Sequence, residues 1–219
     1  MRRMIPFTLA SVLAVGSIGA SGEDASEHRE TLFSNPYVEA YRITLQPGEA
    51  QPLHAGKQRI VYSLSDYTIR WTEDGETTSK RWREGEVHSH EALEHAAENT
   101  GNTIADFLVV ARTDTPLPEV ESDGDASAVA GGYAALIAEP ADARVLRVAL
   151  PAGARQPLHA GAPRLVYSLN DYSVSFITAD GEVAEAELES GEMHWHDAGP
   201  HAVENTGDDT ARFVIFAFH

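Results

Sequence analysis

Apolar and polar residues alternate along short segments of this chain, which is the pattern of β-strands whose two faces meet different surroundings. Residues 37–45 (YVEAYRITL) show this alternation, and residues 59–64 and 67–72 are rich in β-branched and aromatic side chains. The sequence Glu-Asp-Gly-Glu at residues 73–76 separates two such segments and predicts a hairpin turn. Only residues 133–138 suggest a helix, and that segment is short. The pattern therefore predicts an all-β protein of many short strands, arranged as a sandwich or a small barrel.

Most of this pattern occurs twice. Residues 51–56 and 156–161 share the sequence QPLHAG, and residues 59–67 return with two changes as residues 164–172. The offset is 105 residues (156 minus 51), and it becomes 106 further along (191 minus 85). A period this long in a chain of 219 residues indicates two tandem domains and not a stack of short repeats.

The segments outside the repeat predict an export signal and a linker. Arg2 and Arg3 precede an apolar run from Ile5 to Ala20, which is the layout of a secretory signal peptide. The run is short and weakly apolar for a membrane span, although a retained N-terminal anchor is the alternative. We expect a signal peptide at residues 1–22, a first domain at 23–115, an acidic linker at 116–130 and a second domain at 131–219. The expected location is periplasmic or secreted.

The charge and cysteine content narrow the partners. The chain has 16 Lys and Arg against 34 Asp and Glu, a net charge of −18, so its field repels nucleic acid and anionic membranes. It has no cysteine, which excludes disulfides and thiolate metal sites. We therefore expect a small-molecule ligand or substrate, no nucleic acid and, after processing, no membrane partner. Assembly into a homo-oligomer stays open.

The repeat also preserves histidine. Four histidines recur in place in each unit, whereas a duplicated scaffold alone would preserve only the apolar pattern and the turns. This suggests that each unit holds a site. The eight are His54, His88, His90 and His95 in the first unit, and His159, His194, His196 and His201 in the second.

Glycine and asparagine recur at fixed distances from these histidines. Gly48 lies six residues before His54, and Asn99 lies four residues after His95. The second unit repeats both motifs at Gly153, His159, His201 and Asn205. The two motifs resemble those of cupins, the double-stranded β-helix or jelly-roll barrels, and the chain resembles a tandem cupin, or bicupin, over nearly all of its length after the signal peptide. The resemblance implies a fold and leaves the activity open, because cupins host dioxygenases, decarboxylases, isomerases, sugar-binding modules and storage proteins.

The motifs depart from the family at positions that usually bind metal. The second histidine of the first motif is replaced by Gly56 and Gly161, and the glutamate position is apolar and lies beside Arg59 and Arg164. By the resemblance, each unit keeps only two of the usual ligands, which seldom make a tight metal site. The nearby guanidinium group would also repel a cation.

A second pair of histidines offers a compensation. His88 and His90 are two residues apart on a predicted strand, so they share one face, and the corresponding positions in cupins face the barrel interior. The resemblance then implies four imidazoles in each barrel, which suits Fe, Zn, Ni or Cu, with Mn less favoured. We predict that three histidines in each barrel share one divalent cation, with the remaining one as a fourth or supporting ligand. The sets are His54, His90 and His95 with His88, and His159, His196 and His201 with His194.

Alternatives remain at each step. The imidazoles could instead form a metal-free pocket in which they stay neutral. Arg59 and Arg164 are candidate ligand-binding residues, if they turn inward to hold a carboxylate, or surface residues paired with Asp66 and Asp171.

One functional hypothesis is a metal-dependent bicupin enzyme, an oxygenase, isomerase or lyase acting on a small oxygenated acid. The other is a non-catalytic module for a small polar or anionic ligand. Trp71, Trp82 and the C-terminal phenylalanines are assigned to the core or to the interdomain interface.

Overall fold

The computed structural model describes residues 27–118 and 132–219, so the predicted signal peptide and most of the predicted linker lie outside the described residues. Within these ranges the chain forms eighteen strands and no helix, which confirms the all-β prediction. Nowhere in these two ranges is there a helix of the length and hydropathy needed to cross a membrane.

Nine strands form the first barrel. The neighbouring strands are antiparallel and lie in two sheets, ordered β1-β2-β9-β4-β7 and β3-β8-β5-β6. Asp74 and Gly75 join β5 to β6 with φ angles of 49° and 78°, as the two-residue hairpin turn predicted from the sequence requires. The strands are β1 (Arg29–Ser34), β2 (Val38–Leu45), β3 (Ala50–Ala55), β4 (Arg59–Ser63), β5 (Tyr67–Glu73), β6 (Glu76–Trp82), β7 (Val87–His90), β8 (Glu94–Asn99) and β9 (Ala105–Arg112).

The second barrel repeats this topology strand for strand, with sheets ordered β10-β11-β18-β13-β16 and β12-β17-β14-β15. The helix suggested at residues 133–138 is wrong. This segment is strand β10, whose backbone pairs with β11, and tertiary pairing outweighs the helical propensity of its alanines and leucine. The strands are β10 (Ala134–Ala138), β11 (Ala143–Leu150), β12 (Arg155–Gly161), β13 (Arg164–Ser168), β14 (Tyr172–Thr178), β15 (Val183–Leu188), β16 (Met193–His196), β17 (Gly199–Asn205) and β18 (Ala211–Phe218).

The two five-stranded sheets pack against each other through a shared apolar cluster. Ile60 and Tyr62 of β4 belong to this cluster, whereas Val61 between them belongs to the core inside the first barrel. Every residue of β4 is therefore buried, which hides the usual alternation of a half-exposed strand. Phe216 and Phe218 lie in the shared cluster, in agreement with their predicted place in the core or interface.

Candidate functional site

Strand pairing brings the histidines and the arginine of the first barrel together. In the four-stranded sheet His54 pairs directly with His95, and in the five-stranded sheet Arg59 pairs with His90 and Val61 with His88. The side chains of both sheets line one cavity inside the barrel. The second barrel repeats every pair, His159 with His201, Arg164 with His196 and Val166 with His194.

The arginine lies inside each barrel, as the inward alternative for Arg59 and Arg164 requires. Arg59 is only 5% exposed. Its Nη1 donates to the carbonyl oxygens of Lys57 at 2.7 Å and Glu91 at 3.2 Å, and its Nη2 lies 3.1 Å from Nε2 of His95. The surface alternative for Arg59 is wrong, because Asp66 accepts instead from Arg81.

Arg164 occupies the same place in the second barrel. It is 7% exposed, and its Nη1 donates to the carbonyl oxygen of Ala162 at 3.2 Å while its Nη2 donates to Nε2 of His201 at 2.9 Å. Asp171 is again elsewhere, as an acceptor for the backbone N–H of Ser190. Both arginines therefore point inward.

The arginine explains why glycine occupies the position of the second histidine of the first cupin motif. A Cβ atom built on Gly56 would lie 2.4 Å from Nη1 of Arg59 and 2.7 Å from Cε1 of His95. The equivalent atom on Gly161 would lie 2.5 Å from Nη1 of Arg164. In both barrels the guanidinium group fills the space that a side chain at this position would need.

The buried imidazoles are neutral at physiological pH. Burial, reinforced by the charge of Arg59, lowers the pKa of His95 to about 3 and that of His90 to about 4. With its proton on Nδ1, His95 donates to the carbonyl oxygen of Leu93 at 3.2 Å, which leaves Nε2 to accept from Arg59. Burial likewise lowers the pKa values of the other buried histidines, to about 3 for His88, 4 for His194, 2 for His196 and 3 for His201.

Neither buried cation has an ion-pair partner within the described part of the chain, because no aspartate or glutamate there lies within ion-pair distance of Arg59 or Arg164. Glu73, which lines the same cavity, acts on Arg59 only from a longer distance. Burial lowers the pKa of both guanidinium groups, that of Arg164 to about 10. Arginine side chains in proteins stay protonated at pH 7. A buried charge without a partner is costly, and an anion beside it would recover part of that cost.

The two barrels differ in the space beside this arginine. The cavity of the first barrel measures about 490 Å³, within the range of small-molecule sites, whereas that of the second measures about 50 Å³. Four cations and two carboxylates line the larger cavity, a net charge of +2 (four minus two) in a chain of net charge −18, and the charged residue lining the smaller one is Arg164 alone. The four cations are Arg29, Lys57, Arg59 and Lys80, and the carboxylates are Glu39 and Glu73.

Two tryptophans that were assigned from the sequence to the core or interface also line this cavity. Trp71 stacks on His90 with ring centroids 4.3 Å apart, and Trp82 stacks on His88 at 3.7 Å. The apolar character of tryptophan suggested packing. One signal in the sequence set these two residues apart, because neither is repeated: the second unit has Phe176 in place of Trp71 and Leu188 in place of Trp82.

The side-chain positions do not fit the predicted metal site. Across residues 27–118 and 132–219, no group of three or more histidine, aspartate or glutamate side chains is arranged to hold a metal ion. Arg59 contacts the imidazole of His95, and Trp71 stacks on both His90 and His95 with centroids 4.3 Å away. These side-chain positions therefore do not support the predicted sharing of one cation by His54, His90 and His95, and Arg59 places a positive charge 3.1 Å from Nε2 of His95.

Comparison with known proteins agrees with this architecture. No family model and no curated protein matches the sequence. Among solved structures, AerE from Microcystis aeruginosa has a TM-score of 0.60 and 15% identity over 87% of this chain and 97% of AerE. A variant of oxalate decarboxylase from Bacillus subtilis has a TM-score of 0.61 and 14% identity over 93% of this chain and 78% of that chain. A cupin 2 conserved barrel domain protein from Leptotrichia buccalis has a TM-score of 0.53 and 10% identity over 91% and 92%.

These likenesses define the class of protein. The chain has the cupin fold, and it has it twice, with the two barrels joined through their five-stranded sheets. Sequence identities this low establish the fold, so the chemistry has to be argued from the residues of this chain.

Proposed function

We propose that this protein is a bicupin that binds a small carboxylate anion in its first barrel, with Arg59 as the anchor. The observation that carries this proposal is a buried guanidinium group that forms no ion pair in the described chain, at the wall of a cavity of about 490 Å³. A planar guanidinium matches the two oxygens of a carboxylate and can donate to both.

The surroundings of Arg59 support an anion over a cation. The neutral imidazoles add no negative charge, and the charged residues that line the cavity sum to +2. The rest of the strongly acidic chain repels anions at long range, so an anion has its most favourable electrostatic energy in the positive cavity.

The cupin structures bear on two points of the proposal. Oxalate decarboxylase from Lactobacillus farciminis forms a complex with formate, so a protein of this fold can bind a small carboxylate. Oxalate decarboxylase from Bacillus subtilis has Mn(II) centres, so the fold itself is compatible with a divalent metal. In this chain Gly56 supplies no metal ligand, and the guanidinium group of Arg59 fills the space beside it and contacts His95. This favours ligand binding over metal-dependent oxygenase, isomerase or lyase chemistry.

Export belongs to the same proposal. The N-terminal pattern of two arginines, an apolar run and small residues supports cleavage near residues 19–22 and a periplasmic or secreted location. Intact-mass measurement of protein from its native host checks this, because an unprocessed N-terminus would contradict export.

Metal analysis followed by calorimetry tests the binding proposal. The untreated protein is first analysed for bound transition metal, and hexanoate is then titrated into the full protein after chelator treatment. We expect binding without metal, weakened at least tenfold by Arg59→Gln, because charge-assisted hydrogen bonds contribute about 1.5–3 kcal/mol each. Arg70→Gln is the matched control, since Arg70 is exposed on β5 and pairs with Glu98. Equal affinities for the two variants, or binding that needs a stoichiometric metal, would overturn the proposal.

A further inference from the structure

The cavity of the first barrel has a second cation at the far end of an aromatic wall. Lys80 Nζ lies 3.6 Å from the ring centroid of Trp82, and Trp82 stacks on His88 at 3.7 Å. His88 meets His90 edge-on with centroids 4.9 Å apart.

The same wall continues from His90 to the buried arginine. His90 stacks on Trp71 at 4.3 Å, and the guanidinium carbon of Arg59 lies 5.3 Å from the Trp71 ring centroid. Four aromatic rings in succession thus separate two cations, one over each terminal ring. All six side chains line the one cavity of about 490 Å³.

The two cations differ in burial and in their partners. Arg59 is buried, whereas Lys80 is an exposed residue of β6, and among the described residues neither forms an ion pair with a carboxylate. Arg29 and Lys57 also line the cavity, but both are paired with Glu39, at 3.9 Å and 3.1 Å. Lys80 and Arg59 are therefore the two cavity cations best placed to receive a ligand's charges.

Polar atoms along the wall also need partners. The indole Nε1 of Trp71, Nδ1 of His88 and Nε2 of His90 are buried and have no hydrogen-bond partner among the described residues. Buried polar groups are normally satisfied, so these atoms favour a ligand whose charged ends also form hydrogen bonds.

The second barrel lacks the outer half of this arrangement. The repeat keeps Arg164, His194 and His196, with Phe176 and His196 at 4.9 Å in place of the tryptophan stack. The pairing of β14 with β15 places Ala186 opposite Val174 and Leu188 opposite Tyr172, as Lys80 lies opposite Ile69 and Trp82 opposite Tyr67. Ala186 and Leu188 thus replace the lysine and the tryptophan, and the cavity shrinks to about 50 Å³.

We infer that the ligand of the first barrel is a two-headed anion, with one carboxylate on Arg59, a second anionic group on Lys80 and an apolar or planar spacer along the wall. The second barrel is a closed copy that takes no such ligand. This inference rests on the proposed function, since it names the ligand class of the same site. An apolar spacer fits because stacked rings offer a flat apolar surface between the two charges.

Calorimetry with two matched acids separates the inference from the proposed function. Adipate and hexanoate have six carbons each and differ in the second carboxylate. In the full protein at pH 7 we expect one adipate per chain, bound about tenfold or more tightly than hexanoate. In Lys80→Met, which keeps the hydrocarbon stem over Trp82 and removes the charge, the ratio of the two affinities falls to about one. Lys57→Met is the matched control and keeps the ratio.

Three results would overturn the inference. Equal affinities of the wild-type protein for the two acids would show that there is no second anionic subsite, while carboxylate binding at Arg59 would still stand. If Lys57→Met and Lys80→Met lowered the preference for adipate over hexanoate equally, that preference would be due to general electrostatic attraction. Two adipate molecules per chain would show that the second barrel also binds. Failure of both acids to bind would instead refute the proposed function itself.

Discussion

Acidification from pH 7.5 to 5.5 should destabilise this protein strongly, because its pocket histidines are buried in their neutral form. The pKa values of six histidines are lowered to about 2–4 in the folded state, against about 6.5 in an unfolded chain. As the pH falls below 6.5 the unfolded chain takes up protons that the folded chain does not, so the free energy of unfolding decreases. The stabilisation is complete above pH 6.5 and is lost progressively as the pH falls towards the folded pKa values.

The magnitude follows from the unfolded pKa. One histidine that stays neutral in the folded state lowers the free energy of unfolding by about 1.4 kcal/mol between pH 7.5 and pH 5.5. The reason is that the unfolded side chain is about 90% protonated at pH 5.5. Six such residues give an upper bound of about 8 kcal/mol. Partial solvent access and residual structure in the unfolded chain reduce this, and we expect a loss of about 4 kcal/mol, against a total stability of typically 5–15 kcal/mol.

Urea unfolding followed by circular dichroism at several pH values measures this loss. His196→Gln should reduce the pH dependence by about 1.4 kcal/mol over the window, because the pKa of His196 is lowered to about 2. His219→Gln is the control, since His219 is exposed at the C-terminus. A free energy of unfolding that changes by less than about 1 kcal/mol between pH 7.5 and 5.5 would refute the reasoning. The imidazoles would then be protonated in the folded state, and Arg59 would not be the main positive charge in the pocket.

Two substitutions test the packing around the site. Gly56→Ala places a methyl group 2.4 Å from Nη1 of Arg59, so we expect the free energy of unfolding in urea to fall by about 1–3 kcal/mol. Unchanged stability would mean that the guanidinium group moves aside at little cost. Asn99→Ala removes hydrogen bonds to the carbonyl oxygens of Leu45 at 2.9 Å and Thr103 at 2.8 Å, so its free energy of unfolding should fall by about 2–4 kcal/mol, and a loss below 1 kcal/mol would show that water replaces the amide.

Local pattern was enough to predict an all-β protein, and the cupin barrel itself followed from the resemblance of two motifs. Alternation along β2 and the Asp74-Gly75 turn depend on near neighbours, and the long repeat showed that whatever fold forms must form twice. The inward direction of His88 and His90 followed from their two-residue spacing on a strand, together with the resemblance to cupins. These features are local in sequence, which is why a single chain reveals them.

The character of the site depended on contacts between residues distant in sequence. Only the folded chain shows that the guanidinium group of Arg59 lies against the imidazole of His95, 36 residues away, and fills the space above Gly56. The sequence predicted a shared cation because it showed which residues recur and gave no distances between them. The difference between a cavity of about 490 Å³ and one of about 50 Å³ has the same origin, since volume is set by the side chains of both sheets together. Residue types and spacing are properties of the chain alone, whereas charge compensation and enclosed space arise when separate strands come into contact.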